Sequence, residues 1–574
     1  NKLSPQTMNL GAGQTVTEIE VFHIRLTGRE LDKRTLELMD RQIPYHILFV
    51  LERPDGQMQL RISYKEASQS GDNAFRLRQS YATEFAPPES LTLPLDALDM
   101  DSLYASVVRA IAGDALSAPE QPLEQVIAQA QEKEKLQRQI TQLKAKMKKE
   151  KVKKPNIIFV QLESHFDITQ VKGVKFNKDP LPNFHKYMKG YSSGQLSMPS
   201  YGAGTANSEF ELITGMNLDH FGAAEYPYKT VLQNTTTESM ATVLKNYGYK
   251  AHAIHDNSAA FYDRDLVFSQ LGFDTFTTKE SMNIKKWTEN GWAKDQILTG
   301  CIMDSLDSTK GQDYVYCISV QGHGDYPTTQ IIENPEITVE GIEDEALKNK
   351  YTYYVNQVYQ MDQFVGKLVK ALQQRGEPTI LCMYGDHLPS LEIEDEDLTY
   401  GNKYQTSYFM WDNIGLKKKD GTIEAYDLGS EVLNKCNIHT GLMNSFHQTR
   451  KGTKNYQKDM KELQYDMLYG KQYVWNQENP FKATDLQFGI RPLTVTKIYE
   501  TKDSIFIVGN NFTNFCQVFD GDVKINTTYH NEHLLEVSKK DLKDGDTFKV
   551  SIVSKALRVL SSSNEYVYQE KSEK

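Results

Sequence analysis

Two apolar runs that each end in an acidic residue constrain the fold of this chain more than any other feature. The run 155–162 is followed directly by Glu163, and the run 379–384 is followed by Gly385 and then by Asp386 and His387. Continuous apolar runs of this length are typical of strands buried on both faces of a parallel sheet. Open α/β sheets bind ligands outside the carboxyl ends of such strands. The pattern therefore predicts that the three side chains meet at one sheet edge.

Two carboxylates and one imidazole are a ligand set that suits a divalent metal ion. Oxygen and nitrogen donors fit Mn²⁺ or Mg²⁺ as well as Zn²⁺, so the residue types leave the metal open. Each strand end alone is also compatible with ordinary solvated polar residues. The occurrence of Glu163 and of Asp386-His387 after two such strands favours a shared metal site.

A glycine-containing segment, 200–212, adds a hydroxyl group. Gly202 and Gly204 precede Thr205, and a helical pattern follows it. The N–H groups at a helix start attract an anion, and a threonine there is either a helix cap or a nucleophile. A neighbouring metal favours the nucleophile, because coordination lowers the pKa of a bound hydroxyl.

Together these motifs resemble a known enzyme family. Leu162-Glu163-Ser164, the segment 204–210 and the segment 384–387 are similar to the signatures of the lipoteichoic acid synthases, phosphoglycerol transferases in the sulfatase branch of the alkaline phosphatase superfamily. The resemblance covers about residues 155–450 and implies an α/β fold, with a sheet sandwiched between helices. It also implies a metal, typically Mn²⁺, bound by four side chains, with the threonine as nucleophile: Glu163, Thr205, Asp386 and His387.

Two further segments match the family. The stretch 255–265 resembles its substrate-binding segment, with Tyr262 where some members carry Trp and Asn257 where some carry Asp. Arginine suits a phosphate because its planar fork can donate two parallel hydrogen bonds. The segment 318–327 implies a histidine facing the reacting phosphoryl group, at a strand end. The substrate residues implied are His255, Asn257, Tyr262 and Arg264, and His323 is implied to be catalytic.

The implied reaction transfers glycerol phosphate from phosphatidylglycerol to a polyglycerol phosphate (lipoteichoic acid) chain through a threonine-linked intermediate. Its partners would be an anionic phospholipid and the polymer, at the extracytoplasmic face of the membrane or in the cell wall. A phosphodiesterase or sulfatase-like hydrolase with the same metal site, or a non-catalytic scaffold, are the alternatives. Formylglycine-dependent sulfate hydrolysis is disfavoured, because the segment 204–207 lacks the Cys/Ser-x-Pro-x-Arg motif.

The flanking segments differ in character. Residues 1–118 are predicted to be a small α/β module that faintly resembles a bacterial domain of unknown function. Residues 119–154 form a lysine-rich, coiled-coil-like linker helix, which could be a solvated linker, self-associate or bind an anionic membrane. Residues 155–485 form the catalytic domain, and 490–570 an immunoglobulin-like β-sandwich of the IPT/TIG pattern.

Composition narrows the possible classes further. The formal net charge of −11 disfavours a nucleic-acid binder. Five scattered cysteines without a CxxC pair argue against a disulfide framework or a structural zinc site. No apolar run approaches the ~18 residues that a membrane helix needs, although family synthases carry such helices. The start at Asn1, without Met, suggests a trimmed or internal beginning.

Overall fold

The computed structural model describes the backbone of four N-terminal strands and, with side chains, residues 132–142, 151–222, 225–554 and 558–569. The chain forms two compact units. The first contains the N-terminal strands, and the second contains the remaining described elements from Lys133 onward, apart from 221–225.

The N-terminal strands form one antiparallel sheet in the order β1-β2-β3-β4. They are β1 (Glu18–Val21), β2 (Tyr45–Glu52), β3 (Gln59–Glu66) and β4 (Thr83–Phe85). Strands β2 and β3 pair from Tyr45 opposite Glu66 to Glu52 opposite Gln59. The residues that connect these two strands, 53–58, lie outside the described residues. The helices predicted for this module lie outside the described residues.

The predicted linker is helical over 132–142, and this helix, α1, packs on its own chain. Leu136 is 1% exposed. The Lys133 ammonium lies 5.8 Å from the ring centre of Tyr473, and Lys135 pairs with Glu462. Leu136 is one of the apolar residues of the heptad pattern that predicted a coiled coil. Because it is buried within this unit, the coiled coil is not confirmed. Of the lysine-rich run 144–154, residues 144–150 lie outside the described residues, whereas Lys154 donates to the Tyr247 carbonyl at 2.8 Å.

A nine-stranded sheet forms the centre of the second unit, in the order β14-β7-β13-β12-β5-β10-β8-β9-β15. Strands β12, β5, β10, β8, β9 and β15 run parallel, whereas β13 is antiparallel to both β12 and β7. The strands of this part of the chain are β5 (Asn156–Leu162), β6 (Lys175–Phe176), β7 (Ser192–Ser197), β8 (Lys250–His255), β9 (Thr275–Thr278), β10 (Asp313–Ile318), β11 (Val339–Glu340), β12 (Thr379–Gly385), β13 (Gln405–Asp412), β14 (Ile423–Glu424) and β15 (Gln487–Phe488).

The two predicted apolar strands are neighbours at the middle of this sheet. Strand β5 pairs in parallel with β12 on one side and β10 on the other, and all seven residues of β5 and of β12 are buried. Burial on both faces explains why neither strand alternates apolar and polar residues. The register Leu162 opposite Gly385 brings Glu163 and Asp386 to the same edge. The predicted α/β sheet is thereby confirmed.

Helices pack against both the sheet and one another around one apolar core. The longest, Glu345–Arg375, starts where the Asp344 carboxylate accepts a hydrogen bond from Leu347 N (2.7 Å) and ends at Gly376 with φ 73°. None of the helices among the described residues has the length and apolarity needed to cross a membrane. The helices after α1 are α2 (Pro182–Gly190), α3 (Thr205–Thr214), α4 (Met240–Lys245), α5 (Arg264–Gln270), α6 (Leu298–Asp307), α7 (Glu345–Arg375), α8 (Ala425–Lys435), α9 (Leu442–Arg450) and α10 (Tyr456–Leu468).

The C-terminal segment contains two antiparallel sheets. One sheet has the order β16-β17-β21-β20 and the other β19-β18-β22-β23, with β24 paired to β22. The alternating burial of β17 and β21 indicates one buried face. The immunoglobulin-like sandwich stays a prediction. The strands are β16 (Thr494–Glu500), β17 (Ser504–Asn510), β18 (Cys516–Asp520), β19 (Val523–Ile525), β20 (Thr527–Asn531), β21 (Leu534–Ser538), β22 (Thr547–Val553), β23 (Val559–Ser562) and β24 (Tyr566–Val567).

Candidate metal centre and substrate loop

The side chains predicted to bind a metal come together at the carboxyl edge of β5 and β12. Glu163, Asp386 and His387 each offer one ligand atom, and these atoms all lie within 4.8 Å of one another. His387 Nε2 is 3.7 Å from Glu163 Oε1 and 3.5 Å from Asp386 Oδ2. The Thr205 hydroxyl donates to Glu163 Oε2 at 3.2 Å. The structure therefore brings together all four residues of the predicted set.

Backbone geometry holds the three ligand side chains in place. Asp386 Oδ1 accepts hydrogen bonds from Ser164 N (2.7 Å) and His387 N (2.8 Å). His387 Nδ1 lies 2.9 Å from the Leu388 carbonyl, which can only accept, so Nδ1 carries the proton and Nε2 faces the cluster as a lone-pair donor. Gly385 allows the close approach, because a Cβ there would lie 1.8 Å from the His165 carbonyl.

Thr205 occupies the first position of helix α3, as the glycines before it predict. Gly204 has φ 97°, and a Cβ at this position would lie 2.6 Å from Ser200 Oγ. A residue with a side chain would therefore be strained there both by its backbone and by this contact. Since the residue before the helix is Gly204, the Thr205 hydroxyl does not act as the N-cap and is directed to Glu163 instead.

Burial and like charge set the electrostatics of the cluster. Burial, followed by the nearby Glu163, raises the pKa of Asp386 to about 7. Burial by itself would lower the pKa of His387, but Asp386 and Glu163 outweigh it and raise that pKa. Two carboxylates in a space this small and dry therefore attract positive charge.

The donor set fits a divalent cation. Among the described residues, Asp386 Oδ2 is buried and lacks a hydrogen-bond partner, although it points toward the cluster. An unpartnered buried carboxylate oxygen is costly unless a proton or a cation reaches it. The side chains that would hold the ion are Glu163, Thr205, Asp386 and His387, whose hard oxygen and imidazole donors suit Mn²⁺, Mg²⁺ or Zn²⁺.

The predicted substrate segment begins at the end of β8, two strands from β5. His255 Nδ1 lies 3.1 Å from the Ile318 carbonyl, so Nδ1 carries the proton and Nε2 is an acceptor. Burial, then Arg264, lowers the pKa of His255 well below its usual range, which keeps the ring neutral. Asn257 is 8% exposed, and its backbone carbonyl accepts from Lys279 N.

Arg264 is fully buried and already paired. Its Nε lies 3.0 Å from Glu209 Oε2, its Nη2 also bonds Glu209, and its Nη1 donates to the Phe261 carbonyl at 3.0 Å. Glu209 raises the pKa of Arg264 against the opposing effect of burial. The Tyr262 ring lies over the guanidinium, with its centre 5.2 Å from Cζ, and stacks on Tyr226 at 5.7 Å. Among the described residues, these contacts use three of the five guanidinium N–H groups.

His323 lies in the loop after β10, five residues beyond the strand end at Ile318, and not at the strand end that the sequence predicted. Its ring packs against Trp292 with centroids 4.4 Å apart. Its Nδ1 is buried and has no hydrogen-bond partner among the described residues.

Several residues that shape the site were missed in the sequence. Ser164 adopts φ 50°, and its hydroxyl donates to Glu163 Oε1 at 2.8 Å. Glu209 lies one helical turn after Thr205, so the spacing alone could have placed it on the same helix face as Thr205. Gln161, fully buried under the site, accepts from Tyr316 and Tyr384 hydroxyls at 2.8 Å and donates to the Thr205 carbonyl.

A parallel-centred α/β sheet with a cluster of two carboxylates and an imidazole that could hold a metal ion, beside a threonine hydroxyl at its carboxyl edge, is characteristic of the alkaline phosphatase superfamily. Residues 155–438 match the sulfatase family, and this segment of the chain belongs to that family. Residues 1–163 match a domain of unknown function (DUF4391), as the faint resemblance of the N-terminal module indicated.

Known relatives cover about half of the chain. A Rhizobium meliloti protein named for cyclic β-1,2-glucan modification is 28% identical over 362 residues, which are 56% of either chain. The lipoteichoic acid synthase of Staphylococcus saprophyticus is 23% identical over 327 residues, 54% of this chain and 48% of that one. The chain thus spans about half the length of these curated relatives.

One solved structure has the same fold. The phosphoglycerol transferase of Streptococcus pyogenes, determined in complex with sn-glycerol-1-phosphate, superposes with a TM-score of 0.53 at 24% identity. The match covers 62% of this chain and 96% of that one.

Proposed function

We propose that the segment 155–485 is a metal-dependent phosphoglycerol transferase. The observation that carries this proposal is the convergence of Glu163, Thr205, Asp386 and His387 at one sheet edge, with a buried acceptor oxygen that lacks a partner. Relatives named as lipoteichoic acid synthase, and the fold shared with a phosphoglycerol transferase, support glycerol phosphate as the transferred group.

The four side chains would hold a divalent cation, of which Mn²⁺ is the first candidate and Mg²⁺ and Zn²⁺ the others. When bound, the cation would favour the ionised Thr205 hydroxyl and neutralise charge on the phosphoryl oxygens. His387 contributes through Nε2, because its Nδ1 proton is directed to the Leu388 carbonyl. Ser164 orients Glu163 and, through its backbone N–H, Asp386.

The reaction has two displacement steps. In the first, the ionised Thr205 Oγ attacks the phosphorus of phosphatidylglycerol, the bond from phosphorus to the diacylglycerol oxygen breaks, and His323 donates its proton to that oxygen. In the second, the hydroxyl of an acceptor gives its proton to His323 as it attacks the glycerophosphoryl-Thr205 ester, and the bond from phosphorus to Thr205 Oγ breaks, which releases Thr205 in its ionised form. Placing the nucleophile on a helix start beside buried donors supplies the electrostatic stabilisation on which phosphoryl transfer depends.

The glycerol phosphate group would be bound by His255, Asn257, Tyr262 and Arg264. The neutral His255 ring offers Nε2 as an acceptor for a glycerol hydroxyl. Arg264 has N–H groups beyond those bonded to Glu209 and Phe261, and these can donate to a phosphoryl oxygen. Tyr262 lies over the guanidinium, so the substrate must fit beside this ring or displace it.

A polyglycerol phosphate chain is the first candidate acceptor, because a relative named lipoteichoic acid synthase is 23% identical over 327 residues. A glucan is the second candidate, favoured by the 28% identity with a protein named for glucan modification. Both acceptors offer a primary alcohol. The donor and either acceptor would place the domain on the extracytoplasmic side of the membrane.

The test is diacylglycerol release from fluorescent phosphatidylglycerol in the presence of Mn²⁺. We expect release by the full chain, no release after chelation, and no release by Thr205→Ala. Thr214→Ala is the matched control, since Thr214 is a buried threonine at the other end of helix α3 whose hydroxyl bonds the Phe210 carbonyl. Equal release by the Thr205 and Thr214 variants would overturn the mechanism.

The same reaction separates transferase from hydrolase. Mass spectrometry should find a glycerophosphoryl group on Thr205 when no acceptor is present, and glycerol phosphate on a polyglycerol phosphate or a glucan when one is added. Free glycerol phosphate as the only second product, with either acceptor present, would identify the protein as a phosphodiesterase instead.

A further inference from the structure

The C-terminal β segment touches the catalytic segment at the loop that carries the predicted substrate residues. Arg558 Nη2, at the start of β23, lies 2.9 Å from Asp265 Oδ2 and 3.8 Å from Asp263 Oδ1. The Asp265 carboxylate is 4% exposed, whereas the Arg558 side chain is 44% exposed. Asp265 directly follows Arg264 in the chain, so this ion pair holds the start of helix α5, where Arg264 lies.

A second contact reaches the other end of the same loop. Thr513 Oγ1, in the C-terminal segment, donates to the Glu280 backbone carbonyl at 2.7 Å. The Glu280 side chain is 1% exposed and accepts from Ser258 Oγ (2.8 Å) and Ala259 N (3.2 Å). Glu280 thus connects Thr513 to the beginning of the loop 258–265. The neighbouring Asn283 adds a hydrogen bond from the Tyr529 hydroxyl at 2.8 Å.

The loop between these two contacts has a conformation that needs external support. Tyr262 has φ 59° and Asp263 has φ 56°, which makes two successive non-glycine residues left-handed. Such a conformation is unfavourable for residues with a Cβ and persists only when surrounding contacts determine it. Gln233 Nε2 donates a hydrogen bond to Asp263 Oδ2 at 3.0 Å, and the positive charge of Arg558 lies near the same carboxylate.

We propose that the C-terminal β segment is a positioning element for the loop 258–265, which it holds at Asp265 through Arg558 and at Glu280 through Thr513. In this arrangement it fixes Tyr262 and Arg264 relative to the sheet edge. Arg558 is a positioning residue, since it acts on the site through Asp265 and Asp263. The consequence for substrate affinity rests on the proposed phosphoglycerol transfer, whereas the consequence for loop order does not.

The alternative is that the β segment is only a spacer whose contacts hold it against the sheet. The chain offers a matched control for this distinction. Arg491 Nη2 lies 2.5 Å from Oδ1 of Asp304, a residue of helix α6 and not of the loop 258–265, and the Arg491 side chain is 63% exposed. Arg491→Ala and Arg558→Ala therefore each remove one exposed arginine from an ion pair between the same two parts of the chain.

The experiment measures hydrogen exchange of the peptide 258–266 in the full chain with Arg558→Ala, Arg558→Lys, Asp265→Asn and Arg491→Ala. We expect Arg558→Ala and Asp265→Asn to speed exchange by roughly two- to fivefold or more, since roughly this range holds for loss of an exposed ion pair and the Asp265 carboxylate is buried. Arg558→Lys should restore most of the protection, because it keeps the charge. Arg491→Ala should leave this peptide as in the unchanged protein.

Activity gives an independent second readout. Arg558→Ala should raise KM for phosphatidylglycerol by roughly fivefold with little change in kcat, since it acts on binding residues and not on Thr205. Mn²⁺ affinity should be unchanged in all four variants. Exchange in 258–266 that is equal for Arg558→Ala and Arg491→Ala would overturn the positioning role. Faster exchange without any diacylglycerol release in the unchanged protein would instead contradict the proposed function alone.

Discussion

The proposed metal-binding half of the site and its proposed substrate-binding half, called the metal half and the substrate half below, balance their charges in different ways. Around the metal position, two buried carboxylates, Glu163 and Asp386, face one imidazole, and one carboxylate oxygen lacks a partner among the described residues. Around the substrate position, one buried guanidinium faces one buried carboxylate, Arg264 against Glu209. The first half has an excess of negative charge, and the second is neutral as it stands.

The two halves should therefore contribute differently to the stability of the fold. The carboxylates of the metal half lower the free energy of unfolding as long as no cation neutralises them, and the same excess charge favours binding of a cation. The substrate half is self-compensated, so loss of either partner leaves a lone buried charge. The two carboxylates Asp386 and Glu209 should therefore respond in opposite directions to neutralisation.

The largest expected effect is on the compensated half. Glu209→Gln keeps the side-chain volume but leaves the Arg264 guanidinium buried without its counter-charge. We expect the free energy of unfolding to fall by about 3–5 kcal/mol, measured by urea denaturation. Glu392→Gln is the control, because Glu392 pairs with Lys350 at 2.7 Å with its side chain 67% exposed. Such an exposed pair contributes about 0–1 kcal/mol. Similar losses in both variants would contradict the comparison.

The metal half could be predicted from the sequence because its residues lie directly after recognisable strands. Glu163 and Asp386 each follow a continuous apolar run, and parallel pairing of two such runs leaves little freedom in where the side chains meet. The two glycines before Thr205 predicted its place at the start of a helix. The parallel sheet itself was predicted for the same reason, since runs of this kind require cover on both faces.

The compensated half could not be predicted in the same way. Arg264 on helix α5 and Glu209 on helix α3 are 55 positions apart in the chain. No local sequence pattern predicts a contact between residues so far apart. The left-handed conformation of Tyr262 and Asp263 is likewise set by contacts from distant segments. The sequence also did not predict that helix α1 packs on the rest of its own unit. An apolar residue such as Leu136 can be buried against any apolar surface, and not only in a coiled coil.

The second effect tests whether the excess charge is a cation site. Mn²⁺ at about a hundred times its Kd should raise the free energy of unfolding by about 2.7 kcal/mol, because it binds only the folded chain. Glu163→Gln should lose most of this gain, since it removes one ligand charge. Glu392→Gln, which lies outside the cluster, should keep the full gain. Thermal denaturation with and without chelator measures both. An equal gain in the Glu163 variant would place the ion elsewhere.

In the metal-free protein, Asp386→Asn should raise the free energy of unfolding, whereas Glu209→Gln should lower it by a larger amount. Burial and Glu163 raise the pKa of Asp386 to about 7, so its ionised form destabilises the fold at pH 8. Asp386→Asn removes that charge and keeps the Oδ1 acceptor for Ser164 N. We expect a gain of about 1–2 kcal/mol in the free energy of unfolding in chelator at pH 8.

Asp362 is the control for that gain. Its carboxylate is also fully buried, but it accepts from Phe184 N (2.7 Å), Asn183 N (3.0 Å) and Asn183 Nδ2 (2.8 Å). Asp362→Asn would direct an NH₂ group at these donors, so it should destabilise the protein. A loss of stability in Asp386→Asn as well would show that the metal half is compensated in a way that the contacts do not reveal.

The smallest effect concerns an ion pair outside both halves, where exposure reduces the energy. His185 Nδ1 lies 2.9 Å from Asp179 Oδ2, and Nε2 lies 3.3 Å from Asp167 Oδ2. The hydrogen bond to Asp167, then that to Asp179, raises the pKa of His185 to about 9 against the effect of burial. A raised folded-state pKa adds stability that is complete below the unfolded pKa of about 6.5 and is lost as the pH rises through 9. We expect His185→Gln to lower the free energy of unfolding by about 1 kcal/mol at pH 6, after allowance for solvent screening, and by almost nothing at pH 10.

His220→Gln is the control of opposite sign, because burial lowers the pKa of His220. Its replacement should raise the free energy of unfolding more at low pH than at high pH. A deficit of His185→Gln that is the same at pH 6 and pH 10 would show that the ring acts by packing and not by charge.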